Sequence, residues 1–216
     1  MKKILAFGGS TSSTSINRQL ASYTANLVTN TIVEVIDLTE YLAPVYSTDE
    51  EKKGFPEKLL NLSQYMKKFD GYVVSLAEHN GSYAAAFKSI LDWLSRINRE
   101  IFNNHPVLLL ATSPGGRGGA SVLETASNYF PHAGASDVIT FSLSNFYDNF
   151  QENKIVNDEI LKELTNDVVH LDSSDSSTLK QFFKWVSETI EIGNKSQGTG
   201  ENISLPALPA EITIVI

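Results

Sequence analysis

Six hydroxyl-bearing residues in a row, Ser10-Thr11-Ser12-Ser13-Thr14-Ser15, follow the apolar run Ile4-Leu5-Ala6-Phe7 and two glycines. They lead into a helix-like stretch that begins near Asn17. A strand, a small-residue loop and a helix start together make the geometry that holds a phosphate. The loop offers backbone N–H groups, neutral hydroxyl donors and the positive end of a helix dipole. Ser and Thr are also favoured helix N-caps, so the same residues could form a plain polar turn. Position favours the phosphate, because ligands of strand–helix chains sit outside the carboxyl ends of the strands and this loop follows the first strand.

Two further stretches carry chemistry. Ala77-Glu78-His79-Asn80-Gly81-Ser82-Tyr83 ends an apolar run and precedes a helical one. It supplies an amide, a hydroxyl, backbone donors and a flat side chain, a set suited to a sugar and the edge of a ring. Gly81 is expected to let the backbone approach closely. His79 is read as a stacking or hydrogen-bonding imidazole, since His105, His132 and His170 stand at no ligand spacing from it and no metal site is expected. Ser113-Pro114-Gly115-Gly116-Arg117-Gly118-Gly119 follows another apolar run. Its glycines are expected to present N–H groups to a flat ligand, where they could stabilise negative charge on a reduced ring. The plainer alternative is a flexible connection with a solvated Arg117.

Three known loop patterns fail. Ser10 and Ser13 stand where Gly-x-Gly-x-x-Gly, counted from Gly8, needs glycines, and no Gly-Lys-Ser/Thr follows. A nucleophile elbow at Gly8-Gly9-Ser10-Thr11-Ser12 lacks its second glycine. A hydroxyl-rich mononucleotide loop of the flavodoxin kind remains.

The elements that must position these loops alternate. Strands are expected at Lys3–Gly8, Thr31–Asp37, Gly71–Leu76, Pro106–Thr112 and Asp137–Phe141. Helices are expected at Asn17–Thr29, Pro56–Phe69, Ala84–Ile97, Ala120–Phe130, Asp158–Val169 and Ser177–Ile192, with a loop over Leu38–Gly54. This pattern predicts an α/β doubly wound parallel sheet of five strands with helices on both faces, and the flavodoxin-like arrangement expected for it has the order 2-1-3-4-5. In that order strands one, three and four are neighbours, so the three loops converge at the switch point. Trp93 and Leu94 are expected in the core or at a subunit contact, and Lys88 with Asp92 as a weak surface pair. Trp185, Phe182 and Phe183 are expected on the buried face of the last helix, and Asp172–Ser177 as a turn and N-cap.

Composition narrows the function classes. The chain has 216 residues, no Cys and a formal net charge of −8, which argues against disulfides, thiol chemistry, nucleic acid and anionic membrane as partners. No apolar run reaches a membrane span, and the run after Met1-Lys2-Lys3 is too short for an export signal, so a cytoplasmic protein is expected. Residues 1–192 are expected to form the nucleotide-binding domain. Residues 193–216 begin as a Gly/Ser-containing linker and end in the apolar Ile212-Thr213-Ile214-Val215-Ile216. This extension either packs on the body or a partner subunit, or stays a loose tail.

The loops taken together resemble the NADPH-dependent FMN reductase family of flavodoxin-like fold, which includes quinone, azo-dye and chromate reductases. The resemblance lies in Gly9-Ser10-x-x-x-x-Ser15-x-Asn17-Arg18, in Glu78-x-Asn80-Gly81-Ser82 followed by Lys88 and Asp92-Trp93, and in Gly115-Gly116-Arg117-Gly118-Gly119. It covers residues 3 to about 150 well and looser sequence to about 192. It implies that Ser10, Ser12, Ser15 and Asn17, with the Ile16 backbone, hold the FMN phosphate. Ala77, Glu78, His79, Asn80, Gly81 and Ser82 would line the ribityl chain and ring edge. Ser113, Gly115, Gly116, Arg117 and Gly118 would face the isoalloxazine. The family usually has Arg where this chain has Ser12, and Pro-Glu-Tyr where it has Ala77-Glu78-His79.

The activity implied is an FMN-dependent NAD(P)H oxidoreductase, with NADPH or NADH as co-substrate and a quinone-like or other small acceptor. The chemistry would be borne by the flavin, with His79 and Arg117 in tuning roles at most. A homodimer or homotetramer is implied as well. The alternatives are a non-catalytic flavin or nucleotide sensor and a flavodoxin-type electron carrier.

Overall fold

The apolar runs pair in parallel in the order β2-β1-β3-β6-β7, the 2-1-3-4-5 arrangement expected from the sequence. In this computed structural model residues 1–172 are described. In chain order the elements are β1 (Lys2–Gly9), α1 (Ile16–Ala25), β2 (Thr31–Ile36), a 3-10 turn (Leu38–Tyr41), α2 (Thr48–Glu51) and α3 (Glu57–Met66). Next come β3 (Gly71–Leu76), β4 (Glu78–His79), β5 (Ser82–Tyr83), α4 (Ala85–Ile97), β6 (His105–Thr112) and α5 (Ala120–Tyr129). A 3-10 turn (Phe130–Ala133), β7 (Ala135–Leu143), α6 (Phe146–Asn149), β8 (Phe150–Gln151), β9 (Lys154–Ile155) and α7 (Asp158–Asp172) complete it. The expected helix Ser177–Ile192, its aromatic face and the extension from 193 lie outside the described residues.

The inner strands read as unbroken apolar runs because helices cover both faces of the sheet. Along β1 and β6 alternate side chains go to opposite sides. Leu5, Phe7, Val107, Leu109 and Ala111 join one core with residues of α3, α4 and α5, including Leu62, Trp93 and Ala126. Ile4, Ala6, Leu108 and Leu110 join the other with Leu20 and Ala21 of α1 and Leu164 and Val168 of α7. Trp93 and Leu94 are buried, and the Trp93 indole N–H donates to Pro44 O at 2.8 Å. Lys88 and Asp92 do pair, at 2.6 Å on a half-exposed face.

Several boundaries differ from expectation. α1 ends at Ala25 rather than Thr29, where the Asn26 side-chain amide donates to Ser22 O at 2.7 Å and closes the last turn. Pro56 is the N-cap of α3, one residue before its first turn. β6 begins at His105, and its register against β7 shifts between His105 and Val107, across a proline with no N–H for the ladder. The Leu38–Gly54 connection holds the 3-10 turn and α2. Two hairpins, β4–β5 and β8–β9, were not anticipated. Among the described residues no helix is long and apolar enough to cross a membrane.

Candidate functional site

Because β1, β3 and β6 are adjacent and parallel, the loops after them open at one edge of the sheet. The first loop keeps its hydroxyls outward, with Thr11 to Thr14 exposed. Ser15 is buried and caps α1, its Oγ accepting the Arg18 N–H at 3.1 Å. The Ile16 and Asn17 amides lie in the first turn, where a helix has no acceptor of its own for them. No acidic residue stands in that turn. Within the loop, the Ser12 N–H donates to Ser10 Oγ at 3.2 Å and the Thr14 N–H to Ser12 Oγ at 3.3 Å. The Arg18 guanidinium steadies the loop from behind, donating to Ser13 O at 2.9 Å and pairing with the Asp37 carboxylate. The Thr39 N–H and hydroxyl, and then Arg18, hold the Asp37 carboxyl below its usual range. Sequence reasoning missed this bracing role of Arg18, since nothing local marks its partner.

Asn17 has a structural task the sequence did not show. Its side chain is buried and hydrogen-bonded within the protein. Nδ2 donates to Thr112 O at 3.2 Å, while Oδ1 accepts the Thr112 N–H at 3.1 Å and the Ser75 hydroxyl at 2.7 Å. Those partners end β6 and β3, so one amide ties the start of α1 to both neighbouring strands. All three residues are nearly inaccessible, at 3%, 1% and 0% exposure for Asn17, Thr112 and Ser75.

The second loop is a two-residue hairpin. Asn80 and Gly81 both have positive φ, 52° and 76°, as a turn of the primed type requires. Gly81 serves the turn, and a Cβ there would meet no protein atom within 4 Å. Ala77 is buried, while His79, Asn80, Gly81 and Ser82 are exposed. Glu78 is half-buried, and its Oε2 accepts the Val122 N–H at 3.0 Å, joining the hairpin to the first turn of α5. The Tyr83 hydroxyl is buried with no hydrogen-bond partner among the described residues. Burial, with a smaller contribution from Tyr129, pushes its pKa up to about 12.

The third loop divides in two. Gly118 has φ 57°, and a Cβ there would fall 2.3 Å from Ser142 Oγ and 3.0 Å from Ser144 N, so the backbone packs against the end of β7. Gly115 and Gly116 instead face open space, the nearest atom to a Cβ on Gly116 being Asn145 Oδ1 at 3.9 Å. The loop is fastened by the Asn145 N–H to Gly115 O at 3.0 Å and the Phe146 N–H to Ser113 O at 3.1 Å. Arg117 is exposed, and its guanidinium donates to Ser121 Oγ at 2.6 Å. Among the described residues no group of three His, Asp or Glu side chains is placed to hold a metal.

The sheet order and the phosphate-type loop at its switch point define a flavodoxin-like, mononucleotide-binding class of protein. The NADPH-dependent FMN reductase family matches residues 2–148, and the chain belongs to that family of FMN- and NAD(P)H-dependent enzymes. It is 31% identical over 97 residues to a quinone reductase of Escherichia coli (strain K12), covering 44% of this chain and 49% of that protein. It is 29% identical over 123 residues to an NADPH azoreductase of Bacillus sp. (strain OY1-2), covering 57% of this chain and 65% of that one. The chain thus spans about half to two thirds of these two relatives. Among solved structures, the flavoenzyme NAD(P)H:(acceptor) oxidoreductase FerB of Paracoccus denitrificans shares the fold, with TM-score 0.64, 20% identity, and 80% of this chain and 96% of that one covered.

Proposed function

We propose that this enzyme passes a hydride from NAD(P)H through FMN to a quinone-like or other small aromatic acceptor, at the edge formed by the three loops. The observation that carries the reading is the start of α1: hydroxyls and first-turn amides, no carboxylate, and a buried amide fixing it to β3 and β6. These residues fit the phosphate of FMN, and the open Gly115-Gly116 backbone leaves room for a flat ring beside them.

Bound FMN would supply the two-electron chemistry, accepting a hydride at N5. The protein's own task is to bind and orient. The Ile16 and Asn17 N–H groups and the Ser10 and Ser12 hydroxyls would donate to the phosphate. Ser15 already accepts from Arg18 and keeps its O–H to give. Ala77, Glu78, His79, Asn80, Gly81 and Ser82 would form the wall along the ribityl chain and ring edge. Ser113, Gly115, Gly116, Arg117 and Gly118 would form the wall facing the ring, where backbone donors favour negative charge. A homodimer or homotetramer would cover the open side left by the exposed hairpin tip.

The experiment is direct. Purified protein is titrated with FMN and followed by its visible spectrum, then assayed for NADPH and NADH oxidation with a quinone and with an azo dye. Stoichiometric flavin binding and acceptor-dependent turnover are expected. Protein that binds no flavin, or binds it without turnover, overturns the reading.

A further inference from the structure

The cap of α5 is unusual in its source. Its N-cap residue is Gly119, which has no side chain to accept from the first turn. The acceptor comes instead from Glu78, 44 residues away, in the β4–β5 hairpin. A helix N-terminus carries roughly half a positive charge and by itself attracts anions. A carboxylate bonded to it cancels that attraction and, because it belongs to the hairpin, fixes the two loops to each other.

We propose that Glu78 is a positioning residue. Its carboxylate sets the spacing of the hairpin and the Ser113–Gly119 loop, and it makes the α5 end unreceptive to anions. An anionic ligand is thereby turned away from the α5 end, while the α1 end keeps a neutral cap. This rests on the reading that FMN lies at this edge. If so, removing the charge makes the wall facing the ring more positive and eases reduction of the bound flavin. Removing the hydrogen bond as well loosens the wall and weakens binding.

The test compares Glu78→Gln, which keeps an acceptor and loses the charge, with Glu78→Ala, which loses both. The readouts are FMN dissociation constants from fluorescence quenching, melting temperatures of the apo proteins, and the midpoint potential of the bound flavin. Glu78→Gln is expected to bind FMN within about threefold of wild type, and Glu78→Ala about tenfold more weakly, as for loss of a charge-assisted bond. Both should move the potential in the positive direction, which a merely structural cap would not do. An unmoved potential in both variants, or Glu78→Ala binding FMN as wild type does, overturns the assignment. Should Glu78→Ala fail to fold, the potential and affinity of Glu78→Gln still decide. Wild-type protein that fails to bind FMN overturns the reading of the site and this inference together; wild type that binds, with variants indistinguishable from it, overturns the inference alone.

Discussion

α1 and α5 begin at the same edge of the sheet, and their first turns have opposite electrostatic characters. α1 is capped by a neutral hydroxyl, Ser15, with no acid in its first turn and a row of exposed Ser and Thr before it. α5 is capped by a glycine with no side chain, and its Val122 N–H is taken by the Glu78 carboxylate. A parallel sheet brings several helix N-termini to its carboxyl edge, each a potential anion site. Between α1 and α5 it is side chains, not the fold, that leave one end with a neutral cap and give the other a carboxylate. The tethers differ in the same sense. The tether of α1 is a neutral amide sunk beneath the loop, and that of α5 is a charge bridging two loops.

The largest expected effect comes from cutting the buried tether. Asn17→Ala removes three hydrogen bonds, taking from the Ser75 hydroxyl and from both backbone groups of Thr112 the partner that Asn17 supplies, in a place water hardly reaches. Each unsatisfied buried group costs about 1–3 kcal/mol, so with partial relaxation the variant should lose roughly 3–5 kcal/mol. For a body of this size that is a fall of about 10 °C in melting temperature, measurable by calorimetry on the apo protein. A fall of a degree or two would show that the loop holds its place without the amide, and the contrast between the tethers would lose its basis.

How much of this could be read beforehand follows from the range of each interaction. The inner strands were legible because buried parallel strands are apolar runs, and β2 because it alternates; their order was expected from the flavodoxin-like pattern, not from the runs themselves. The hydroxyl loop was legible because capping acts within three residues. Asn17 was legible as a residue type only, since its partners Ser75 and Thr112 lie 58 and 95 residues away. The β4–β5 hairpin did carry its Asn80-Gly81 signal, but Glu78-His79 and Ser82-Tyr83 lack the alternating apolar flanks that usually accompany it. The β8–β9 hairpin turns through Glu152 and Asn153, at φ 48° and 60°, and no local rule would place a glutamate there. The glycines of the third loop look alike in sequence. Only packing separates Gly118, wedged against Ser142, from Gly116, which is open.

A second experiment converts one helix end into the other. Ser12→Glu puts a carboxylate into the exposed loop before α1, as Glu78 does for α5. At an exposed site, repulsion from a phosphate should weaken FMN binding about tenfold, or about 1.4 kcal/mol. The loss should shrink as salt rises to about 0.5 M, where screening acts within a few ångströms. Ser121→Glu, in the first turn of α5, is the control, with FMN affinity expected within about threefold of wild type. Equal losses at both positions, read by fluorescence quenching, would mean that the two ends attract the ligand alike.

The smallest effect concerns the cation that braces the first loop. Arg18 stands beside the first loop, yet its charge is shared with Asp37 and its Nη2 with Ser13 O. The Asp37 carboxyl, held low first by the Thr39 N–H and hydroxyl and then by Arg18, has a folded-state pKa beneath the ordinary 3.8. A carboxyl depressed on folding lends stability above its unfolded pKa and loses it as pH falls through the folded value. Wild type should therefore lose this contribution only below about pH 4, and Asp37→Asn should lack that part of the acid transition. The pair is about a third exposed on each side, so at pH 7 the variant should melt within a few degrees of wild type. The informative readout is FMN binding. With Asp37 neutral, Arg18 carries an uncompensated charge next to the loop, and affinity should rise by up to about threefold at low salt. An affinity that falls instead would show that the Arg18–Asp37 brace shapes the loop more than it muffles the cation.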